Sequence, residues 1–354
     1  MEYIKNGQNI IREKIKGVHE NGSSIVRITG NYEISEVIPI PSHTTVILED
    51  CRLKLADGVY SQIFTNENAL NGDEGDCDIH IKGIGTAVLD GGVYNGLSER
   101  NQNTEGRPQI WFNTFIVFNR VKYFSIENIR CVRQRWYAMA MIASSDGTIR
   151  DIDFDGDCRR IDAETGKEVL GLVREKYPET VVKNGDGIDI CSASHDILIE
   201  NITGFTEDDT VALGSLLRPG PTPMIAYYGG KDNFDIYNIT IRNLRVSCFC
   251  SPVRIINQGG PKIYNVLIDG VFDSSLNDYR VNHGDCGVMI GDTESYGDRQ
   301  PSTDETYNIC VKNVYSRADT ALRVCGGITN LVYENINAFD RCKEAVNMEN
   351  AIIR

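Results

Sequence analysis

The chain has 354 residues, 41% of them hydrophobic, and a formal charge of −14. That is enough apolar material for a large core, in one elongated domain or two compact ones. The charge argues against a nucleic-acid binder, which needs a basic face, and any anionic substrate would need a local cationic cluster to overcome the global field.

The N-terminal stretch MEYIKNGQNIIREKIKGVHENG lacks the apolar centre of a signal peptide. No run of about 18 apolar residues offers a membrane span, so a cytoplasmic protein is expected. Ile10, Ile11, Ile15 and Val18 fall on one helical face. A helix over residues 1–23 therefore suits an end cap for an elongated core. From residue 24, SSIVRITGNYEISEVIPIPSHTTVILEDCRLKLADG reads as the first short alternating strands. Polar loops are expected at 70–78, 97–108 and 216–233. Long loops on a rigid scaffold tend to wall a binding cleft, which suggests a closed pocket and exo action.

The rest of the chain repeats. YFSIENIRCV, HDILIENITGF, IYNITIRNLRV, IYNVLIDGVFD, TYNICVKNVYS and ITNLVYENINA share the pattern N-φ-x-φ-x-N-φ, with φ apolar, in full or in part. The later asparagines are Asn128, Asn201, Asn243, Asn313 and Asn335, with Gly270 in the same place. The spacing is 22 residues between Asn313 and Asn335 and 27 between Asn243 and Gly270. Wider gaps, near twice that, suggest an intervening coil such as TIRDIDFDGD. Strand alternation at this period, without helices, fits a solenoid. The dense L-x-x-L-x-L frame of a leucine-rich repeat is absent. The expected architecture is all-β: one right-handed parallel β-helix over residues 24–354, with the asparagines stacked at a left-handed corner.

Eleven cysteines without regular spacing read as reduced, buried, small apolar residues. Cys248 and Cys250 have no second pair at finger spacing, so no metal site is expected from them.

The chemistry concentrates in residues 184–213, where N-G-D-G-I-D-I is followed by E-D-D-T-V-A-L. Asp186 and Asp208 are 22 residues apart, one repeat, and so are expected on neighbouring rungs at one azimuth, about 4.8 Å apart. Asp209 should point differently, because strand side chains alternate. Three clustered carboxylates repel, so one should stay protonated near neutral pH, placing a general acid beside a general base. Asp189 reads instead as a turn residue at a strand end. His195 reads as an exposed corner. His283 is a candidate cleft residue, and Trp136 is a candidate to stack on a sugar or to wall the cleft.

Asn184-Gly185-Asp186 followed by Asp208-Asp209 resembles the N-T-D and D-D motifs of glycoside hydrolase family 28, the polygalacturonase-like enzymes. GIGTAVLDGG (83–92) is similar to that family's G-x-G-x-x-D-G turn. Arg107-Pro108 and Trp136 stand where the family often has Arg-Pro and Trp. PVRIINQGGPKIYNVLIDGV (252–271) resembles its R-I-K strand and the following coil. The resemblance spans roughly residues 24 to 345. It implies a right-handed β-helix that hydrolyses pectic glycosidic bonds with inversion and without cofactor or metal. It also implies Asp208 as general acid, Asp186 and Asp209 as the residues that activate water, and Arg254 and Asn184 as substrate contacts. Gly185 stands for the family's Thr, Glu207 for the Gly or Gln before its Asp pair, and Ile256 for its Lys. The G-H-G motif has no counterpart, since no histidine lies between His195 and His283. Tyr227, Tyr228 or Lys231 on the loop in that place are candidates to substitute for it.

The leading expectation is thus an inverting glycosidase acting on a uronate-containing oligosaccharide or polysaccharide, with neither nucleic acid nor membrane as partner. Two alternatives remain on the same fold: a Ca²⁺-dependent polysaccharide lyase with Arg254 as base, and a non-catalytic carbohydrate-binding solenoid.

Overall fold

The computed structural model describes residues 2–59, 61–70, 74–92, 114–156, 159–161, 168–170, 185–215, 233–257, 260–277, 284–291, 299–340 and 342–354. The chain winds as a right-handed parallel β-helix. Each coil lays one long strand on sheet A and one short strand on sheet B, and each strand pairs in parallel with the same strand of the next coil. In chain order, sheet A includes Val121–Val132, Ser145–Asp155, His195–Phe205, Ile236–Ser247, Ile263–Asp273 and Thr306–Ser316. Sheet B includes Ile116–Asn119, Met139–Ile142, Ile188–Cys191, Val211–Ser215, Val253–Asn257 and Cys286–Ile290. Arg159–Ile161 and Glu168–Leu170 form a small antiparallel ribbon outside the coils.

Parallel register turns sequence alternation into columns. Ile81, Ile126, Ile149, Ile199, Ile241, Ile268 and Val311 stack one above another, all with no exposure. Burial of such side chains is worth roughly 25 cal/mol per Å² of apolar surface, and the column runs along the axis. A one-residue slip would turn the whole set outward.

The long sheet A strands bend at a residue in the left-handed region. Asn128, Asn201, Asn243, Asn313 and Asn335 all have φ between 54° and 58°, and Gly270 has φ 87°. The asparagines tolerate that backbone and also bond along the axis. Asn243 Nδ2 donates to Asn201 Oδ1 (2.6 Å), and Asn335 Nδ2 donates to Asn313 Oδ1 (2.7 Å). A second ladder joins Asn265 to Asn238, Asn308 to Asn265, and Asn330 to Asn308.

Two sequence expectations are corrected. The intervening coil is real between Asn128 and Asn201, where Asp151 holds the corner. The gaps of 42 from Asn201 to Asn243 and 43 from Gly270 to Asn313 contain no further rung, because these strands pair directly. Their extra residues lie within a single coil. The strand Asp76–Asp90 also begins inside the stretch read as a loop at 70–78.

The N-terminal helix α1 (Gly7–Glu20) covers the first coil with Ile11 and Ile15 buried and Val18 packed against the core. Ile10 is instead 40% exposed. Helix and coil meet closely: a Cβ on Gly7 would collide with the Tyr32 side chain. The described cysteines are free thiols. No described helix is long and apolar enough to cross a membrane.

Candidate active site

The site is built where the chain turns into sheet B. Asp186 lies just before Ile188–Cys191, Asp208 and Asp209 just before Val211–Ser215, and Arg254 within Val253–Asn257. These three strands are successive neighbours.

Their register differs by one residue from the sequence expectation. Ile188 pairs with Val211, an offset of 23, so Asp186 faces Asp209 rather than Asp208. The main chain locks this arrangement. The Asp209 N–H donates to Asp186 Oδ1 (3.1 Å), and the Gly187 N–H donates to the Asp209 carbonyl (2.9 Å). Asp208 stands out of line because its turn is drawn tight. Thr206 Oγ1 donates to the Asp208 carbonyl (3.0 Å) and lies 2.9 Å from Thr210 Oγ1.

Asp209 is held on every side. Its Oδ1 accepts the Ser251 N–H (2.9 Å), and its Oδ2 lies 3.5 Å from Arg254 Nη1. Asp186 and Asp209 are each 4% exposed, whereas Asp208 is half-buried.

A fourth carboxylate joins them. Asp189 is 7% exposed, lies close to Asp186, and its Oδ2 has no hydrogen-bond partner among the described residues. It lies within the strand Ile188–Cys191 and not in the strand-end turn that the sequence suggests. The overlooked signal was alternation. Ile188 and Ile190 point inward, so Asp189 points out, in register with Ala212 and Arg254.

The electrostatics follow from burial. Asp186 and Asp189 are pushed well above the usual carboxylate range, first by desolvation and then by their neighbours' charges. Asp209 is pushed up to about 7, because burial and Asp208 outweigh Arg254 and the Ser251 N–H. Such a cluster keeps protons at neutral pH and supplies both acid and base.

Two departures from the family motif prove to be one. A Cβ on Gly185 would lie 3.0 Å from Glu207 Cβ, and the Glu207 N–H donates to the Gly185 carbonyl (3.2 Å). Glu207 is buried, so its bulk occupies the space a threonine side chain would need.

Trp136 is 1% exposed and stacks on Tyr137 at 5.0 Å between centroids. The structure therefore places it in the wall beside the carboxylates, with no ring face offered to a sugar. Burial raises the Tyr137 pKa, and the neighbouring Asp189 and Asp186 add to the shift. Asn184, Tyr227, Tyr228, Lys231, His283 and Arg107-Pro108 lie outside the described residues.

One metal-type grouping occurs among the described residues: ligand atoms of Asp208, Asp209 and Cys250 lie within 4.8 Å of one another. Burial and the adjacent aspartates raise the Cys250 thiol well above its ordinary value, so it is protonated at neutral pH in the metal-free protein. A hard cation such as Ca²⁺ would prefer oxygen ligands alone.

The profile of glycosyl hydrolases family 28 matches residues 33–315. The chain belongs to this family. Its family 28 β-helix also resembles solved structures at low sequence identity. A hyperthermoactive exopolygalacturonase from Thermotoga maritima aligns with TM-score 0.59 and 15% identity, over 98% of this chain and 87% of that one. The tailspike protein of E. coli bacteriophage HK620, in complex with a pentasaccharide, gives 0.60 and 12%, over 98% and 61%. The A-module of an Azotobacter vinelandii mannuronan C-5 epimerase gives 0.50 and 11%, over 94% and 74%. At these identities the likeness is one of fold. No curated protein matches the family 28 chain in sequence.

Proposed function

We propose that this family 28 enzyme hydrolyses a glycosidic bond in an acidic, pectin-derived oligosaccharide by a single inverting displacement. The observation that supports it most is the buried cluster of Asp186, Asp189 and Asp209 beside the more accessible Asp208, with Arg254 its cation.

Asp208, the carboxyl nearest solvent, donates its proton to the departing glycosidic oxygen. Asp186 and Asp209 orient a water on the opposite face of the sugar, and whichever of the two is ionised takes its proton as it attacks the anomeric carbon. The C–O bond to the leaving group breaks as the new C–O bond forms, and the product is a hemiacetal of inverted configuration. Arg254 contacts a substrate carboxylate or hydroxyl and steadies Asp209. The exopolygalacturonase named above is consistent with a galacturonate polymer or its fragments as substrate. A cytoplasmic address goes with short imported fragments, and activity found in the secreted fraction would overturn it.

The test is an NMR time course on trigalacturonate. A first-formed reducing end of inverted configuration supports the proposal. Retention, or an unsaturated product absorbing in the ultraviolet, rejects it.

A further inference from the structure

A cavity lies at the opposite end of the sheet B strands from the carboxylate cluster, where the chain turns back into sheet A. Its volume is about 330 Å³, and Arg120, Lys122, Ser145, His195, Asn233 and Tyr237 are among its lining residues. That volume is at the lower end of the roughly 300–1,000 Å³ typical of small-ligand sites.

Its shape follows from one column of the solenoid. Lys122, Ser145, His195, Tyr237, Tyr264 and Tyr307 succeed one another in register. The last four form a stack of rings 4.6 to 5.0 Å apart with planes within 5°. The stack stops at His195, because the next rung carries only Ser145. One face of the His195 ring packs on Tyr237, and the other borders the space over Ser145. Lys122 closes that space two rungs away, about 10 Å at the ordinary rung spacing. The result is a slot one ring thick, with a flat aromatic floor and a cation opposite.

No Asp or Glu is among the described residues that line the slot, whereas Lys122 is, so its polarity suits an anion despite the overall charge of the chain. The nearby carboxylates are already engaged: Asp146 by Ser145 Oγ, Asp196 by His195 Nδ1 and Asn238, and Asp235 by Asn233 and the Lys262 N–H. Lys122 has no ion pair among the described residues, and its Nζ lies over the Tyr123 ring, 4.9 Å from the centroid. Arg120 also lines the slot.

We propose that this slot is a second saccharide site that takes one uronate residue, its C–H face on His195 and its carboxylate toward Lys122. The choice of uronate rests on the function proposed above. Stacking on a flat ring with the charge held at the edge is how a small sugar acid is recognised without a deep apolar pocket.

The experiment is equilibrium dialysis of labelled digalacturonate against the Asp208→Asn variant, in which turnover is blocked. Two bound molecules per chain are expected. Adding Ser145→Tyr continues the ring stack into the slot and should leave one, with an unchanged or higher melting temperature showing the fold intact. Adding Lys122→Ala instead should weaken the same site about tenfold, as for loss of a charged hydrogen bond. Neutral galactose should compete for it at least tenfold less well than galacturonate. The proposal is overturned if Ser145→Tyr leaves the number bound unchanged, or if galactose competes equally. Failure of the catalytic reading looks different: Asp208→Asn would not lower turnover, while binding sensitive to Ser145→Tyr would persist.

Discussion

Asp186 accepts the backbone N–H of Asp209 through Oδ1 at 3.1 Å, so the two carboxyl-bearing residues of adjacent rungs are fixed to each other by main chain. Asp208 is displaced from that line and more exposed. The division suggests distinct roles. Asp208→Asn is expected to lower kcat by about 10²- to 10⁴-fold with little change in KM, as for loss of a general acid. Steady-state kinetics on oligogalacturonides checks this, with circular dichroism verifying the fold.

Asp189 is expected to act through Asp186 as a positioning residue. Its charge contributes to holding the Asp186 proton. Asp189→Asn is therefore expected to move the pH–rate profile to lower pH as well as reduce kcat. A purely structural role would lower activity at all pH values without moving the profile.

The cluster should cost stability at neutral pH. Asp186, Asp189 and Asp209 keep their protons in the fold to higher pH than in the unfolded chain, where an aspartate titrates near about 3.9. The folded state thus binds more protons above that pH, and stability falls as pH rises. For Asp209 the fall levels off above about 7. Asp209→Asn should raise the melting temperature by a few degrees at pH 8, on the order expected when a functional charge is removed. At pH 4 the gain should largely vanish. Thermal scans at the two pH values decide it, and a larger gain at pH 4 would contradict the assignment.

Gly185 and Glu207 should be coupled. Gly185→Thr alone places a Cβ 3.0 Å from Glu207 Cβ, and overpacking of this kind costs about 1–3 kcal/mol. Combining it with Glu207→Gly should recover much of that loss. A double-mutant cycle in urea measures the coupling, and strict additivity would refute it.

Asn243 is expected to matter for its backbone as much as its amide. With φ 56°, its replacement by Ala adds a left-handed penalty of about 1–2 kcal/mol to the lost ladder bond to Asn201. Asn243→Gly loses the bond but not the conformation, and should unfold at a higher denaturant concentration than Asn243→Ala.

The sequence by itself determined the repeat, and through it the fold. Apolar alternation and an Asn, Asp or Gly at a left-handed corner are local requirements that recur from coil to coil, so they are legible along the chain. It also determined that Asp186, Asp208 and Asp209 share one region, because a solenoid converts spacing into proximity. Only the tertiary structure decided which of them face each other. The offset between Ile188 and Val211 is 23, not 22, and a single residue taken up in a turn is invisible to periodicity. It alone brought Asp189 into the cluster, since an outward side chain becomes buried only when the neighbouring walls are in place. The slot beside His195 was hidden for the same reason. A serine breaks a stack of rings only when register sets it among them, and residues 42 to 50 positions apart in sequence become adjacent rungs only in the wound chain.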